Sequence, residues 1–240
     1  MTAGALMVLA AAAAAGPRDD SRALVERALR EMGGARRVQK YAALTWRGRA
    51  TVHTPDRALE LQGQWRLVPP DRARVETQDL QGSSASLRRM IIDGERGWGE
   101  VQGHPSPLPR DLVAHERDQF YLYHLMRLAP LLAAEFTLTS LGRGADSLRG
   151  IRATRAGRPD VSLFFDDESR LQRMEVRITD PASGNEVQQV VRLSGVIEAA
   201  GLRWPRRIAL TWDGNPYFDL ELLEFQPLET LPGSVFKPGT

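Results

Sequence analysis

The clearest pattern along the chain is an alternation of apolar and polar residues between Leu44 and Leu67. It predicts two antiparallel strands joined by a turn, because successive side chains of a strand point to opposite faces of the sheet. One face is apolar and the other carries charged and amide side chains, which is typical of a sheet with one dry and one wet face. The predicted dry face consists of Trp46, Gly48, Ala50, Val52, Leu59, Leu61, Gly63, Trp65 and Leu67.

Further strand-like segments follow, separated by turn residues. Residues 72–79, 87–92 and 96–101 are predicted strands, whereas residues 103–109 contain three prolines and are predicted to lack regular structure. The order favours an antiparallel meander over a parallel fold, because helices do not separate the strands. The predicted later strands are 136–141, 148–155, 161–166, 171–179, 186–198, 202–212 and 217–226.

Two helical segments accompany these strands, one before the first strand and one in the middle of the chain. The first follows a capping sequence that ends at Ser21, carries one apolar stripe and ends at Gly33 and Gly34. The second, Asp111 to Ala134, is apolar on most sides, and Pro130 is expected to kink or split it. A helix of that kind must be buried on more than one side, so we expect it in or over the mouth of a curved sheet.

The predicted fold class is therefore mainly β with helices (α+β). We expect a single curved antiparallel sheet that forms an unclosed half-barrel, capped by the N-terminal helix and the mid-chain helical segment. Residues 18–230 are predicted to form this one domain, and residues 231–240, which contain Pro and Gly, a loose tail.

Residues 1–17 are predicted to be a signal peptide. An apolar run of small residues ends in Ala13, Ala14 and Ala15, which matches the usual cleavage pattern, although no Lys or Arg precedes it. We expect cleavage near Ala15 and a periplasmic location. Because the chain has no cysteine, we do not expect a lipid anchor at that site.

Composition excludes several classes of chemistry. Of 240 residues, 42% are hydrophobic and 26% charged, which is ordinary for a globular protein. The net charge is only +2, and the arginines alternate with acidic residues, so no nucleic-acid partner is expected. The absence of cysteine excludes disulfides, thiolate metal sites and a cysteine nucleophile.

No motif predicts catalysis. His115 and Glu116 resemble the start of a zinc-protease helix, but position 119 is Gln, so the second histidine ligand is missing. The acidic run 166–168 lies between two predicted strands and suits a turn. Neither a nucleophile elbow nor a phosphate-binding glycine loop occurs. We therefore predict no catalytic residue, no metal and no cofactor.

The apolar residues predict a cavity. A long sheet with only two helices to cover it either closes or leaves apolar surface, and such surface is normally a binding site. Small residues between bulky ones leave room and allow curvature. For any single residue, the alternative is ordinary hydrophobic core. The candidate cavity-lining residues are Trp46, Gly48, Ala50, Leu61, Gly63, Trp65, Trp98, Leu122, Leu125, Met126 and Trp212.

Several sequence segments, taken in order, resemble the LolA/LolB-like periplasmic lipoprotein-carrier superfamily and its LppX-like and RseB-like half-barrels, as a divergent member. They are ALREMGGARRVQKYAALTWRGRA, IIDGERGWGE, GLRWPRRIAL and FDLELLEFQPL. Asp93, Gly94 and Trp98 match a turn followed by a tryptophan that is typical of that family. The resemblance covers residues 19–230, at the level of fold patterns.

The resemblance implies an eleven-stranded unclosed barrel whose helices cap a cavity for acyl chains. A basic residue on an early strand gates the cavity in the carriers, and Arg47 or Arg49 would be its counterpart. Alternation, however, places both on the wet face. The implied partners are a lipid or lipoprotein acyl chain and a membrane-associated delivery protein. We expect the chain itself to be a monomer.

Three functions follow as hypotheses. The first is a periplasmic, non-enzymatic binding protein for transport to the outer membrane, favoured by an open cavity lined by Trp46, Trp65 and Leu125. The second is a sensory or scaffolding domain that binds a protein, favoured by a filled concave face and a flat exposed apolar patch. The third is a secreted enzyme, favoured by Tyr121 or His124 in a dry pocket beside a carboxylate.

Overall fold

The structure is a computed structural model that describes residues 17–81, 87–101 and 103–239. The predicted signal peptide and its cleavage site lie outside this part of the chain, except for Pro17, with which the first helix begins. None of the helices in the described ranges has the length and apolar character needed to cross a bilayer.

The described residues form three α-helices, two short 3-10 helices and fifteen strands. The helices are α1 (Pro17–Glu31), α2 (Ala35–Lys40) and α3 (Arg110–Met126), with 3-10 helices at Ala129–Leu132 and Gly233–Phe236. The strands are β1 (Ala43–His53), β2 (Ala58–Val68), β3 (Arg72–Asp79), β4 (Arg88–Asp93), β5 (Arg96–Val101), β6 (His104–Pro107), β7 (Thr137–Arg143), β8 (Arg149–Thr154), β9 (Val161–Phe165), β10 (Leu171–Thr179), β11 (Glu186–Ser194), β12 (Ile197–Ala199), β13 (Leu202–Trp204), β14 (Arg207–Trp212) and β15 (Asn215–Leu228).

Thirteen of these strands form one antiparallel sheet in the order β6-β5-β4-β3-β2-β1-β15-β14-β11-β10-β9-β8-β7. The edge strands β6 and β7 do not pair with each other, so the sheet stays open. This confirms the predicted fold class, a curved antiparallel half-barrel with helices. The resemblance implied eleven strands, and the sheet has two more; β12 and β13 form a separate hairpin.

The hairpin β1–β2 confirms the alternation from which the prediction began. Trp46 lies opposite Trp65 and Gly48 opposite Gly63 across the pair. Trp46 and Trp65 are buried, whereas Arg47 and Arg49 are exposed on the other face. On its other side β1 pairs with β15, which joins the two halves of the sheet.

Two local predictions were wrong. Residues 103–109 were expected to be irregular, but His104–Pro107 form β6. Proline is tolerated there because β6 is an edge strand, where a missing N–H breaks no ladder on the open side. The capping sequence also lies inside α1, which begins at Pro17, and Ser21 is a buried helical residue.

The predicted long helical segment is split, as expected from Pro130. Helix α3 ends at Met126, and Leu128 adopts a left-handed φ of 62° before the 3-10 helix that contains Pro130. The helix lies across the concave face of the sheet, with seven buried residues that include Leu122, Leu125 and Met126. Helix α1 contributes Leu24, Val25, Ala28 and Leu29 to the same hydrophobic core.

The C-terminal tail differs from the loose segment that was expected. The 3-10 helix Gly233–Phe236 packs against β3 and β4, and Phe236 is 1% exposed. The Arg74 guanidinium donates a hydrogen bond to the Val235 carbonyl at 3.1 Å. This segment therefore covers part of the convex face, opposite α3.

Candidate functional site: the cavity beneath α3

A cavity of about 250 Å³ lies between α3 and the concave face of the sheet. Its walls come from strands in both halves of the sheet and from the inner side of α3, because alternation directs every second apolar side chain inward. The sheet contributes Val52, Leu61, Trp65, Val75, Thr77, Met90, Val191, Ile208, Leu210, Tyr217 and Phe218, and α3 contributes His115, Glu116, Gln119, Phe120, Leu122, Tyr123 and Met126.

Four of the predicted lining residues lie in these walls, namely Leu61, Trp65, Leu122 and Met126. Trp46, Ala50 and Leu125 are buried in the core and are not part of the walls. The Trp46 ring stacks on that of Trp65, its partner on the neighbouring strand, with centroids 6.4 Å apart, so it packs beside the wall residue. That the four wall residues bind a ligand remains a prediction.

Gly48 and Gly63 do not leave open space on the concave face, as the sequence suggested. A Cβ added at Gly63 would lie 2.5 Å from the Glu76 carbonyl oxygen, and one at Gly48 would lie 2.5 Å from that of Glu221. These glycines allow neighbouring strands to approach closely, since any side chain would clash with backbone. They shape the sheet and do not line the cavity.

Trp98 lies on the wrong face to line the cavity. On β5, Gly97 and Gly99 point toward α3, where a Cβ at Gly97 would meet Val113, and Trp98 between them points to the convex side. There the Arg96 guanidinium stacks 5.6 Å from its ring centroid. The two glycines flanking Trp98 were the signal for this placement, because a strand alternates.

Trp212 lies on the concave side, but outside the cavity walls. Its ring stacks on that of Tyr217 with centroids 3.6 Å apart, and Tyr217 does line the cavity. Its indole N–H donates to the Gln189 side-chain oxygen at 2.8 Å. Trp212 therefore positions a wall residue instead of being one.

Sequence reasoning missed the polar part of the walls. Gln119 and Gln189 exchange two amide hydrogen bonds, of 3.1 and 3.0 Å. The His115 ring donates from Nδ1 to the Thr179 carbonyl at 3.2 Å and packs edge-on against Trp212, with ring centroids 5.7 Å apart. These side chains form a satisfied network that fixes one end of α3 to the sheet.

Glu116 lies among these polar residues but has no partner. No hydrogen bond or ion pair reaches its carboxylate from any residue in the described ranges. The side chain is half-buried and lines the cavity, and burial raises the pKa of this carboxyl to about 7. Burial, together with the charge of Glu116, raises the pKa of Tyr217 to about 12 and that of Tyr123 well above its usual value.

A second cavity, of about 350 Å³, lies beside the first. Its walls include Ala28 from α1, Leu128, Leu193 and Trp204. Met126 belongs to the walls of both cavities. The flexible, unbranched side chain of this methionine is thus the residue that the two spaces share.

Tyr121 and His124, which would favour an enzyme, line neither cavity. Their rings stack with centroids 6.3 Å apart, and the Arg158 guanidinium lies 5.1 Å from the Tyr121 ring centroid. Burial and the nearby charge of Arg127 lower the pKa of His124 to about 4. Tyr121 and His124 therefore take part in the packing between α3 and Arg158.

In the described ranges, no three His, Asp or Glu side chains cluster in a way that could hold a metal ion.

Comparison of the sequence with models of protein families and with curated proteins finds no match. Solved structures do match the fold. A LolA superfamily protein from Nitrosomonas europaea is 14% identical, with a TM-score of 0.57 over 90% of this chain and 97% of that one. A putative outer membrane lipoprotein-sorting protein domain from Vibrio parahaemolyticus is 9% identical, with a TM-score of 0.55 over 88% and 97%.

A third structure, a DUF1329 family protein from Desulfovibrio piger, is 8% identical, with a TM-score of 0.60 over 93% of this chain and 98% of that one. At these identities the likeness is one of fold. The chain has the LolA-like half-barrel fold, and this confirms the resemblance that the sequence predicted.

Proposed function

We propose that this protein is a non-enzymatic binding protein that holds an acyl chain, of a lipid or of a lipoprotein, in the cavity beneath α3. The observation that carries the proposal is the cavity itself, whose walls are largely apolar and include Leu61, Trp65, Leu122 and Met126. Cavities of this kind suit apolar ligands, and a few polar groups set the ligand's orientation.

The fold neighbours support the same proposal. One carries the name of outer membrane lipoprotein sorting, and another belongs to the LolA superfamily. By analogy of fold, which is an association and not a mechanism, we propose a periplasmic location and transport toward the outer membrane. A membrane-associated protein that receives the ligand is part of this proposal.

The physical basis of binding is the hydrophobic effect. Each methylene removed from water contributes about 0.8 kcal/mol, so a chain of several methylenes can offset the cost of association. Helix α3 covers the cavity, and its C-terminal end at Met126 is followed by an irregular turn at Leu128. In this proposal α3 is the lid that opens to admit the chain.

The test combines mass spectrometry of lipids that co-purify with the protein and displacement of a fluorescent acyl probe. Leu61→Trp places a large side chain in the cavity and should weaken probe binding about tenfold or more. Leu59→Trp is the matched control, because Leu59 lies on the same face of β2 but outside the cavity walls. Thermal denaturation of both variants shows that they fold.

The proposal fails if no lipid co-purifies and the wild-type protein does not bind the probe. It also fails at this cavity if Leu61→Trp and Leu59→Trp bind the probe equally well. Gly63→Leu is not a suitable block, because the added Cβ would clash with the backbone of β3 before it reached the cavity.

A further inference from the structure

The cavity beneath α3 has one chemically distinct region. Glu116 and Tyr123 project from α3, and Tyr217 projects from β15. In the part of the chain that the structure describes, none of these three side chains has a hydrogen-bond or ion-pair partner at its oxygen atoms. Polar groups without partners in an apolar site are costly unless something else satisfies them.

The cavity walls contain no cationic side chain that could form an ion pair with the Glu116 carboxylate. Apart from Glu116 and the two tyrosines, the cavity is lined by apolar residues, by Gln119, which bonds to Gln189, by His115, which bonds to the Thr179 carbonyl, and by Thr77; none of the wall residues is Arg or Lys. The arginines of the neighbouring strands, such as Arg66, Arg74 and Arg89, pair with carboxylates on the convex face. An anionic ligand head would therefore meet a carboxylate and no cation.

We propose that the cavity takes an amphiphile with a cationic ammonium head, which binds Glu116 between Tyr123 and Tyr217 while its chain lies along Leu61 and Trp65. This inference rests on the proposed function, since it names the class of ligand for the same cavity. The carboxylate accepts charge-assisted hydrogen bonds from the ammonium group. The two phenol oxygens accept further ones, and their rings can face the cation.

The electrostatics of the site agree with this geometry. Burial raises the pKa of Glu116 to about 7, so its neutral and ionised forms coexist near neutral pH, and a bound cation favours the ionised form. The other titratable wall residues are His115 and Tyr123 on α3 and Tyr217 on β15; the walls from β1 to β4, β11 and β14 contribute none. Burial lowers the pKa of His115, and both phenols stay protonated, so Glu116 alone changes charge near neutral pH.

The experiment is calorimetric titration of the full chain with three ligands of equal chain length, dodecylamine, dodecanol and dodecanoate, below their micelle concentrations. The expected order of affinity is amine, then alcohol, then carboxylate, with about tenfold or more between amine and carboxylate. Binding of dodecyltrimethylammonium, whose charge does not titrate, should tighten as pH rises through about 7.

Glu116→Gln should weaken binding of dodecylamine about tenfold and remove the pH dependence, while dodecanol affinity changes by less than about twofold. Asp111→Asn is the matched control, because Asp111 lies on the same helix but is exposed and outside the walls. It should leave all three affinities unchanged.

Two results would overturn the inference in different ways. If dodecanoate binds as tightly as dodecylamine, or if Glu116→Gln leaves the amine affinity unchanged, the cationic head is wrong, although the cavity still binds chains. If none of the three ligands binds, then the proposed function fails together with the inference.

Discussion

At the scale of single residues, the convex face contains a cluster of paired charged side chains. The alternation of apolar and polar residues predicted only that this face would contact solvent. The Glu76 carboxylate accepts a hydrogen bond from Arg89 at 2.6 Å and another from Arg66, and it pairs with Arg74 at 3.3 Å. Arg89 also pairs with Glu100, which is only 6% exposed. These side chains sit side by side on neighbouring strands, and the cross-strand pairing brings their charges together.

Glu76 should make the free energy of unfolding depend on pH in the acidic range. Its partial burial would raise the pKa of the carboxyl, but the hydrogen bonds from Arg89 and Arg66 outweigh that effect and lower it from 4.5 to about 2. Since the folded-state pKa is depressed, the stabilisation is fully present above pH 4.5 and is lost as pH falls toward 2. After allowance for solvent screening, we expect about 1–2 kcal/mol.

Urea denaturation of wild type and Glu76→Gln at several pH values measures this contribution. The variant should be less stable at neutral pH and should lose less stability between about pH 5 and pH 2. Glu224→Gln is the control, because its ion pair with Arg47 is exposed. If Glu76→Gln and Glu224→Gln have the same pH profile, the cluster does not act as described.

At the scale of elements, the C-terminal 3-10 helix is a structural part of the half-barrel. Phe236 is 1% exposed, and the Arg72 guanidinium lies 5.2 Å from its ring centroid. With the hydrogen bond from Arg74 to the Val235 carbonyl, the segment closes over the charged cluster on the convex face. The proline and glycine residues of the tail predicted a loose segment. That prediction failed because composition does not show whether a single aromatic residue, here Phe236, has a place to pack.

Phe236→Ala should destabilise the fold by about 3 kcal/mol, because it removes a buried aromatic side chain and leaves a cavity. Leu223→Ala is the control, since Leu223 is 46% exposed and should change the free energy of unfolding by less than about 0.5 kcal/mol. Urea denaturation measures both. Equal stability of the two variants would mean that the tail does not contribute to the folded core.

At the scale of the whole molecule, the half-barrel contains two neighbouring cavities, of about 250 and 350 Å³, which share Met126. Ligand cavities usually lie between about 300 and 1,000 Å³, and the two together fall well inside that range. Helix α3 alone does not cover the whole sheet. The second cavity lies beyond it, and residues of α1 and of the β12–β13 hairpin contribute to its walls. Met126 therefore lies where the two cavities meet.

Met126→Ala should join the two cavities and increase the preference for long chains. On the proposed function, the affinity for octadecylamine relative to dodecylamine should rise, because additional methylenes reach the second cavity. Leu125→Ala is the matched control: Leu125 is the adjacent, equally buried residue of α3 and lines neither cavity. Both substitutions should destabilise the fold by about 2–5 kcal/mol.

Calorimetric titration with the two amines measures the chain-length preference in each variant. A shift that appears in Met126→Ala and not in Leu125→Ala supports a shared wall. If both variants shift alike, general loosening of α3 explains the effect, and the two cavities are independent.

The amino-acid sequence was sufficient to predict the antiparallel half-barrel, the split of the long helical segment and the face on which Leu61 and Trp65 lie. These follow from local periodicity, because a strand directs alternate side chains to opposite faces and proline interrupts a helix wherever the chain goes. The prediction for Trp98 was wrong. It relied on the apolar character of Trp98 and did not use the glycines on both sides of it, whose positions face α3.

Which polar residues contact each other depends on the tertiary structure. Glu116 is one of several polar positions on a helix that is apolar on most sides, and its lack of a partner depends on which strands lie opposite it. Likewise, Gly63 lets β2 and β3 approach closely instead of widening the cavity, because the Glu76 carbonyl oxygen lies 2.5 Å from where its Cβ would be. Such facts depend on distances between residues far apart in sequence, and periodicity carries no information about them.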